Sequence, residues 1–178
     1  MMLADTKRVL VVDDNQAVHE DYRKVLESKR DQSLLDEMES LIWGDAAEST
    51  PKPQGCNFQI ESAHQGEEGL KLVKDSLESN NPYSVAFIDM RMPPGWNGIK
   101  TAQEIWKVDP NMPIVICTAY TDYTWDEIVA ELPRSELLLI LKKPFDNIEL
   151  KQMAASQSKL RRLVELSAQV ESSSASCK

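Results

Sequence analysis

Four strand-like runs in this sequence each end on a polar group that could do chemistry. Asp13 and Asp14 follow Arg8 to Val12, Asp89 closes Tyr83 to Asp89, Thr118 lies near the end of Pro113 to Ala119, and Lys143 follows Leu137 to Leu141. Together they supply three carboxylates, a hydroxyl and an ammonium. Taken singly each has an ordinary explanation: Asp14 as a helix N-cap, Thr118 as a strand threonine, Lys143 as a solvated lysine. Asp89 is harder to dismiss, because a carboxylate ending Ala86-Phe87-Ile88 bears a desolvation cost unless something compensates it. Carboxylates gathered ~4 Å apart repel by about 4 kcal/mol per pair at an effective dielectric of ~20. A hard divalent cation removes that repulsion, and Mg²⁺ suits a few carboxylates, retained waters and a phosphate oxygen. Such a metal would also reduce the repulsion between Asp89 and an incoming phosphoryl group and orient it for in-line attack. Lys143 would neutralise one phosphoryl oxygen and the Thr118 hydroxyl would donate to another. The expected product is an aspartyl phosphate at Asp89.

For these groups to meet, the runs must be neighbours in one sheet with their carboxyl ends on one edge. The patterning predicts this. Val9-Leu10-Val11-Val12 is a continuous aliphatic run, as in a strand buried on both faces. Val18, Tyr22, Val25 and Leu26 then draw one apolar stripe along a helix. Phe58 to Ala63 is a second strand, followed by a helix marked by Leu70, Val73 and Leu77. Ile99, Ala102, Ile105 and Trp106 mark the helix between the third and fourth strands. Trp125, Ile128, Val129 and Leu132 give a fourth helix, and a last one starts near Asp146. Five strand-helix alternations predict an α/β, doubly wound, five-stranded parallel sheet, since parallel neighbours need helical crossovers. In such sheets ligands bind outside the carboxyl ends of the strands.

Two segments exceed this plan. The connection from about 29 to 57 is far longer than a usual ~2–6 residue loop. Leu34, Leu35, Met38, Leu41 and Ile42 predict an inserted amphipathic helix there, with a flexible return over Ser49 to Pro53. The last helix, opened by the capping pair Asp146 and Glu149, carries apolar residues at Met153, Leu160, Leu163, Val164 and Val170, well beyond what one domain needs. We therefore divide the chain into a domain over 1–150, containing the insertion, and an extended C-terminal helix or linker over 151–178 that frays from Ser172. The helix has fewer than three clean heptads, yet its spacing allows a short coiled coil and a homodimer.

With 178 residues, one domain plus decoration is expected. A formal charge of -9 argues against the basic surface that direct nucleic-acid binding needs. The sequence has neither a run of ~20 apolar residues nor a signal-peptide pattern, so the expectation is a cytoplasmic protein with no membrane span. Cys56, Cys117 and Cys177 lack metal-ligand spacing and read as reduced thiols.

The stretches Val9-Leu10-Val11-Val12-Asp13-Asp14-Asn15, Asp89-Met90-Arg91-Met92-Pro93, Thr118-Ala119 and Lys143-Pro144-Phe145 together resemble the receiver domain of response regulators, over roughly Lys7 to Leu150. The resemblance implies a flavodoxin-like strand order 2-1-3-4-5. It further implies that Asp13, Asp14 and Asp89 bind Mg²⁺ with the backbone carbonyl of Arg91. Asp89 would accept phosphate from a sensor histidine kinase or phosphotransfer protein, Thr118 and Lys143 would read the phosphoryl group, and the Lys143-Pro144 bond would be cis. It implies a regulatory phosphoacceptor with slow autodephosphorylation only, not an enzyme, which relays a conformational change to an output domain or partner protein. Two departures stand out. The segment Pro93-Pro94-Gly95-Trp96-Asn97-Gly98 is one residue longer than usual before the glycine. Ile140 occupies the place, three residues before the lysine, where most receivers carry a switch aromatic.

Two rival readings remain at this stage. A hydrolase with an aspartyl-phosphate intermediate usually needs an Asp-x-Asp pair, which Asp89-Met90-Arg91 lacks. A degenerate receiver acting only as an interaction module would have lost some of the acids, threonine or lysine, and all are intact.

Overall fold

The computed structural model describes residues 7–27, 58–119, 123–132 and 134–175, with side chains described as far as 168. The expected inserted helix within 29–57 lies outside the described residues, as do Tyr120, Cys56 and Cys177.

Five parallel strands form the sheet: β1 (Lys7–Val12), β2 (Phe58–Ala63), β3 (Val85–Asp89), β4 (Ile114–Thr118) and β5 (Leu138–Lys142). Their order is β2-β1-β3-β4-β5. The crossovers are α1 (Gln16–Leu26), α2 (Gly66–Glu78), α3 (Gly98–Val108) and α4 (Trp125–Glu131), and α5 (Asn147–Ala175) follows β5. The doubly wound sheet predicted from the alternation is thus the fold found.

Alternation along each strand divides the core between two faces. Leu10, Val12, Ala86, Ile88, Ile114 and Ile116 point to the side covered by α2, α3 and α4. Val9, Val11, Val85, Phe87, Val115 and Cys117 point to the side covered by α1 and α5. The three central strands are covered on both faces, which explains why they read as unbroken apolar runs. Cys117 is a buried core residue, as expected, and its sulfur lies 3.1 Å from the Tyr22 hydroxyl.

Helix ends follow local rules. Asn15 caps α1 by accepting from the Ala17 amide. Asn97 caps α3 through the Lys100 amide, and Thr124 and Glu127 form a reciprocal capping box on α4. At α5 the Glu149 carboxylate accepts from the Asp146 amide at 3.0 Å, as the sequence pairing predicts. Several boundaries differ from the sequence reading. The third strand begins at Val85, although Tyr83 is also buried. The fifth begins at Leu138, because Ser135–Leu137 closes into a short 3-10 turn. The last helix keeps helical backbone through Ala175, past the Ser172 at which fraying was expected.

α5 does more than close the sheet. Leu150 and Ala154 pack beside α1, while Leu160 and Val164 reach the opposite core cluster. Between them Arg161 forms a buried, two-pronged ion pair with Asp109 at the end of α3, with its Nη1 2.8 Å from each carboxylate oxygen. This contact fixes where the helix crosses the sheet's amino-terminal edge.

Candidate functional site

Strand register brings the first two site residues together. Val12 pairs with Ile88 across β1 and β3, so the next residues, Asp13 and Asp89, leave the sheet side by side. On the far side of β3, Asp89 pairs with Cys117, and Thr118 pairs with Lys142 of β5. The Lys143 amide continues that ladder by donating to the Thr118 carbonyl at 2.8 Å. Lys143 Nζ then donates to Asp13 Oδ2 at 2.7 Å and to Asp89 Oδ1 at 2.6 Å. One ammonium thus joins carboxylates that are 76 residues apart in the chain.

The remaining carboxylate oxygens are held by backbone. Asp13 Oδ1 accepts from the Asn15 amide at 2.9 Å, and Asp89 Oδ2 from the Arg91 amide at 2.9 Å. Asp14 is exposed at the mouth of the site, next to buried Asp13. Thr118 is buried, and its hydroxyl donates to the Ala119 carbonyl at 3.1 Å. Among the described residues no three Asp, Glu, His or Cys side chains form a ready-made metal cage. What the structure brings together is Asp13, Asp89 and Lys143 in direct contact, with Thr118 at the adjoining strand end and Asp14 and the Arg91 backbone at the rim.

Burial raises the Asp89 pKa above its ordinary 3.8, and hydrogen bonding and attraction from Lys143 only partly offset this. Lys143 moves the same way for a different reason. Burial alone would lower it, but hydrogen bonds to Asp13 and Asp89 raise it from 10.5 to about 12. An ion pair would ordinarily lower the acid; here the partly desolvated position of Asp89 outweighs its partner. An ionised Asp89 is therefore a liability to the fold. A carboxylate whose folded pKa is raised stabilises the native state below its unfolded pKa and loses that contribution as pH rises through the folded value. Asp89→Asn is accordingly expected to melt higher than wild type at neutral pH. The advantage should vanish below about pH 4, as thermal unfolding followed across pH will show.

The loop after Asp89 folds tightly back on the strand. The Gly98 amide donates to the Met90 carbonyl at 3.0 Å, and a Cβ on Gly98 would stand 2.7 Å from the Asp89 carbonyl oxygen, so this close approach requires glycine. Pro93-Pro94 is cis, as is Lys143-Pro144, the second having been implied by the sequence resemblance. Trp96 sits toward α2 and α3. Its Cβ lies against Gly66, and Lys100 Nζ is 5.7 Å from its ring centroid.

One residue escaped the sequence reading. His19 is fully buried beneath the site, and its Nε2 is 2.7 Å from the Asp13 carbonyl oxygen. Desolvation lowers its pKa from the ordinary 6.5. The signal was available, because His19, Tyr22 and Leu26 share one helical stripe and all three are buried.

The site and sheet define a class: a doubly wound α/β protein with an acidic notch at the carboxyl edge, bridged by lysine. The family model of the response regulator receiver domain matches residues 51–155, and the chain belongs to that family. The matched stretch starts within the long connection, so Asp13 and Asp14 lie before it; the register of β1 is what joins them to Asp89. A receiver domain protein from Clostridium thermocellum is similar in fold at 21% identity and TM-score 0.60, covering 89% of this chain and 98% of its own. A structure described as adenylate cyclase from Rhodopirellula baltica has 23% identity and TM-score 0.61, covering 94% of this chain and 98% of its own. NtrX from Brucella abortus, solved with ADP, has 17% identity and TM-score 0.63, covering 93% of this chain but only 30% of its own. No curated protein matches the chain. The family makes the chain a regulatory signalling receiver of two-component systems.

Proposed function

We propose that Asp89 is the phosphoacceptor and that a sensor histidine kinase or phosphotransfer protein is the donor. The observation that carries this reading is the single Lys143 ammonium hydrogen-bonded to both Asp13 and Asp89. It joins two acids and a fixed cation within one notch, which supports Asp89 as the nucleophile. An Asp89 carboxylate oxygen attacks phosphorus in line with the P–N bond of a phosphohistidine. A P–O bond forms as the P–N bond breaks, and the departing imidazole takes up a proton. Lys143 is placed to hold a phosphoryl oxygen, and the Thr118 hydroxyl can leave the Ala119 carbonyl to donate to another.

The donor set fits Mg²⁺. Two carboxylates close enough to share one ammonium can share one small cation, and the exposed Asp14 and the Arg91 backbone carbonyl complete the ligand set that the family resemblance implies. Bound there, Mg²⁺ would supply the counter-charge that lets an anionic phosphoryl group approach an anionic nucleophile.

Phosphorylation then adds charge at Asp89 and draws Thr118 toward it. That biases the loop after β4, and with it the face made by α4 and β5, between two packings that an output domain or partner protein can distinguish. α5 offers a further contact, since Leu163 and Leu166 are 55% and 49% exposed, and this suits association of two copies through the helix. We also expect the protein to act without direct nucleic-acid contact and from the cytoplasm. Among the described residues no helix is long and apolar enough to cross a membrane.

Incubation with a small-molecule phosphodonor tests the assignment. Wild-type protein should be labelled with Mg²⁺ present and stay unlabelled when chelator is included from the start, whereas Asp89→Asn should stay unlabelled in both. Equal labelling of the two proteins would defeat the reading, and steady turnover of a generic phosphomonoester would favour a hydrolase instead.

A further inference from the structure

Four hydrogen bonds immobilise Asp13. Its amide donates to the Ala63 carbonyl at 3.1 Å, its Oδ1 accepts from the Asn15 amide, and its Oδ2 accepts from Lys143. The fourth is made by His19, reaching up from α1 to the Asp13 carbonyl at 2.7 Å. A carbonyl oxygen can only accept, so Nε2 carries the proton and the other ring nitrogen, Nδ1, is the bare one. That Nδ1 is buried without a hydrogen-bond partner. The His64 ring packs against the imidazole in a T-shaped arrangement, with centroids 4.8 Å apart.

A histidine is an expensive choice if this position only fills space. An aliphatic side chain would occupy the stripe shared with Tyr22 and Leu26 without stranding a polar nitrogen in the core. The Nε2 donor supplies something an aliphatic residue cannot. The Asp13 carbonyl belongs to the same peptide plane as the Asp14 amide, so pinning it fixes the direction in which both acids leave β1. We propose that His19 is a positioning residue for the metal site, holding the Asp13-Asp14 peptide so that the two carboxylates are already aimed when Mg²⁺ arrives. This rests on the phosphoacceptor reading above. It has the logic of outer groups that orient metal ligands through hydrogen bonds, whose loss typically weakens metal binding by about 10- to 100-fold.

The test compares His19→Gln, His19→Met and His19→Asn in the full chain. Each variant is titrated with Mg²⁺ alone by calorimetry, and its melting temperature is recorded in chelator. Glutamine carries its amide nitrogen as many bonds from Cα as histidine carries Nε2, asparagine carries its own at the Nδ1 place, and methionine fills the volume with no donor. H19M and H19N should bind Mg²⁺ about tenfold more weakly than wild type, and H19Q should bind close to wild type. A merely structural histidine predicts a different result, with melting temperatures falling while Mg²⁺ affinity stays level. Wild-type affinity in H19M, or affinity in H19Q no better than in H19M, overturns the proposal. If H19M does not fold, H19Q against H19N decides by the same criterion. Wild-type protein that neither binds Mg²⁺ nor takes up phosphate overturns the underlying site assignment instead.

Discussion

Lys143→Met is expected to cost about 2 kcal/mol of stability at neutral pH and to abolish efficient phosphoryl uptake. The first figure follows from the rise of the lysine from 10.5 to about 12, which measures how much the folded state favours the charged ammonium. Methionine keeps the length of the stem and removes only the charge and its donors. Asp13 Oδ2 and Asp89 Oδ1 then face each other across the notch without the cation that now binds both. A base with a raised folded pKa gives its full stabilisation below its unfolded pKa and loses it as pH climbs through the folded one. The gap between wild type and variant should therefore stay level from neutral pH to about 10 and close as pH approaches 12. Urea unfolding across that range measures it. Combining Lys143→Met with Asp89→Asn should shrink the penalty, because the neutral amide removes the Asp89 charge that would oppose Asp13 across the notch. A penalty unchanged in the double variant would mean that the ammonium acts elsewhere.

Arg161→Ala is expected to be strongly destabilising, at about 3–5 kcal/mol. Both partners are nearly inaccessible, with side chains 8% and 4% exposed for Arg161 and Asp109. Removing the guanidinium strands a carboxylate in the core at the end of α3, and the loss comes less from the bond than from that uncompensated charge. The pair Arg161→Met with Asp109→Leu should recover much of the loss. Urea midpoints for the three proteins provide the check. Hydrogen exchange should further show faster opening of α5 beyond Leu160 in Arg161→Ala, since the ion pair holds that half of the helix to the domain. An unchanged midpoint for Arg161→Ala would mean that Asp109 escapes to water and that the helix docks by its apolar contacts alone.

Much of the fold was readable because its central strands are covered on both faces. Val9 to Val12, Val85 to Ile88 and Ile114 to Cys117 have no solvent face to encode, so they stand out as apolar runs, each closed by a polar residue that leaves the sheet. Asp13 and Asp89 were legible for the same reason, and Lys143 by its place directly after the edge strand β5. The parallel register turns "residue after the strand" into "neighbour at the edge", and the three side chains meet.

What the sequence did not reveal depends on contacts that no local pattern encodes. His19 looked like one more position on a helix face, because nothing local shows that its ring meets the Asp13 carbonyl. The Arg161–Asp109 pair joins residues 52 apart in the chain, and neither carries a local mark of burial; arginine on a long charged helix reads as solvated. The helix expected to serve as a linker is thus, over its first half, part of the domain's own packing. Strand starts slipped by one residue at Leu138, where a short 3-10 turn sets the boundary, and by two at Val85.

Borohydride trapping shows which carboxylate carries the phosphoryl group. After incubation with phosphodonor and Mg²⁺, reduction of an acyl phosphate releases phosphate and converts the aspartate that bore it into homoserine, which peptide mass spectrometry locates. Homoserine is expected in place of Asp89, dependent on Mg²⁺, with Asp13 and Asp14 unchanged. Conversion at Asp13 or Asp14, or incorporated phosphate with Asp89 intact, would contradict it.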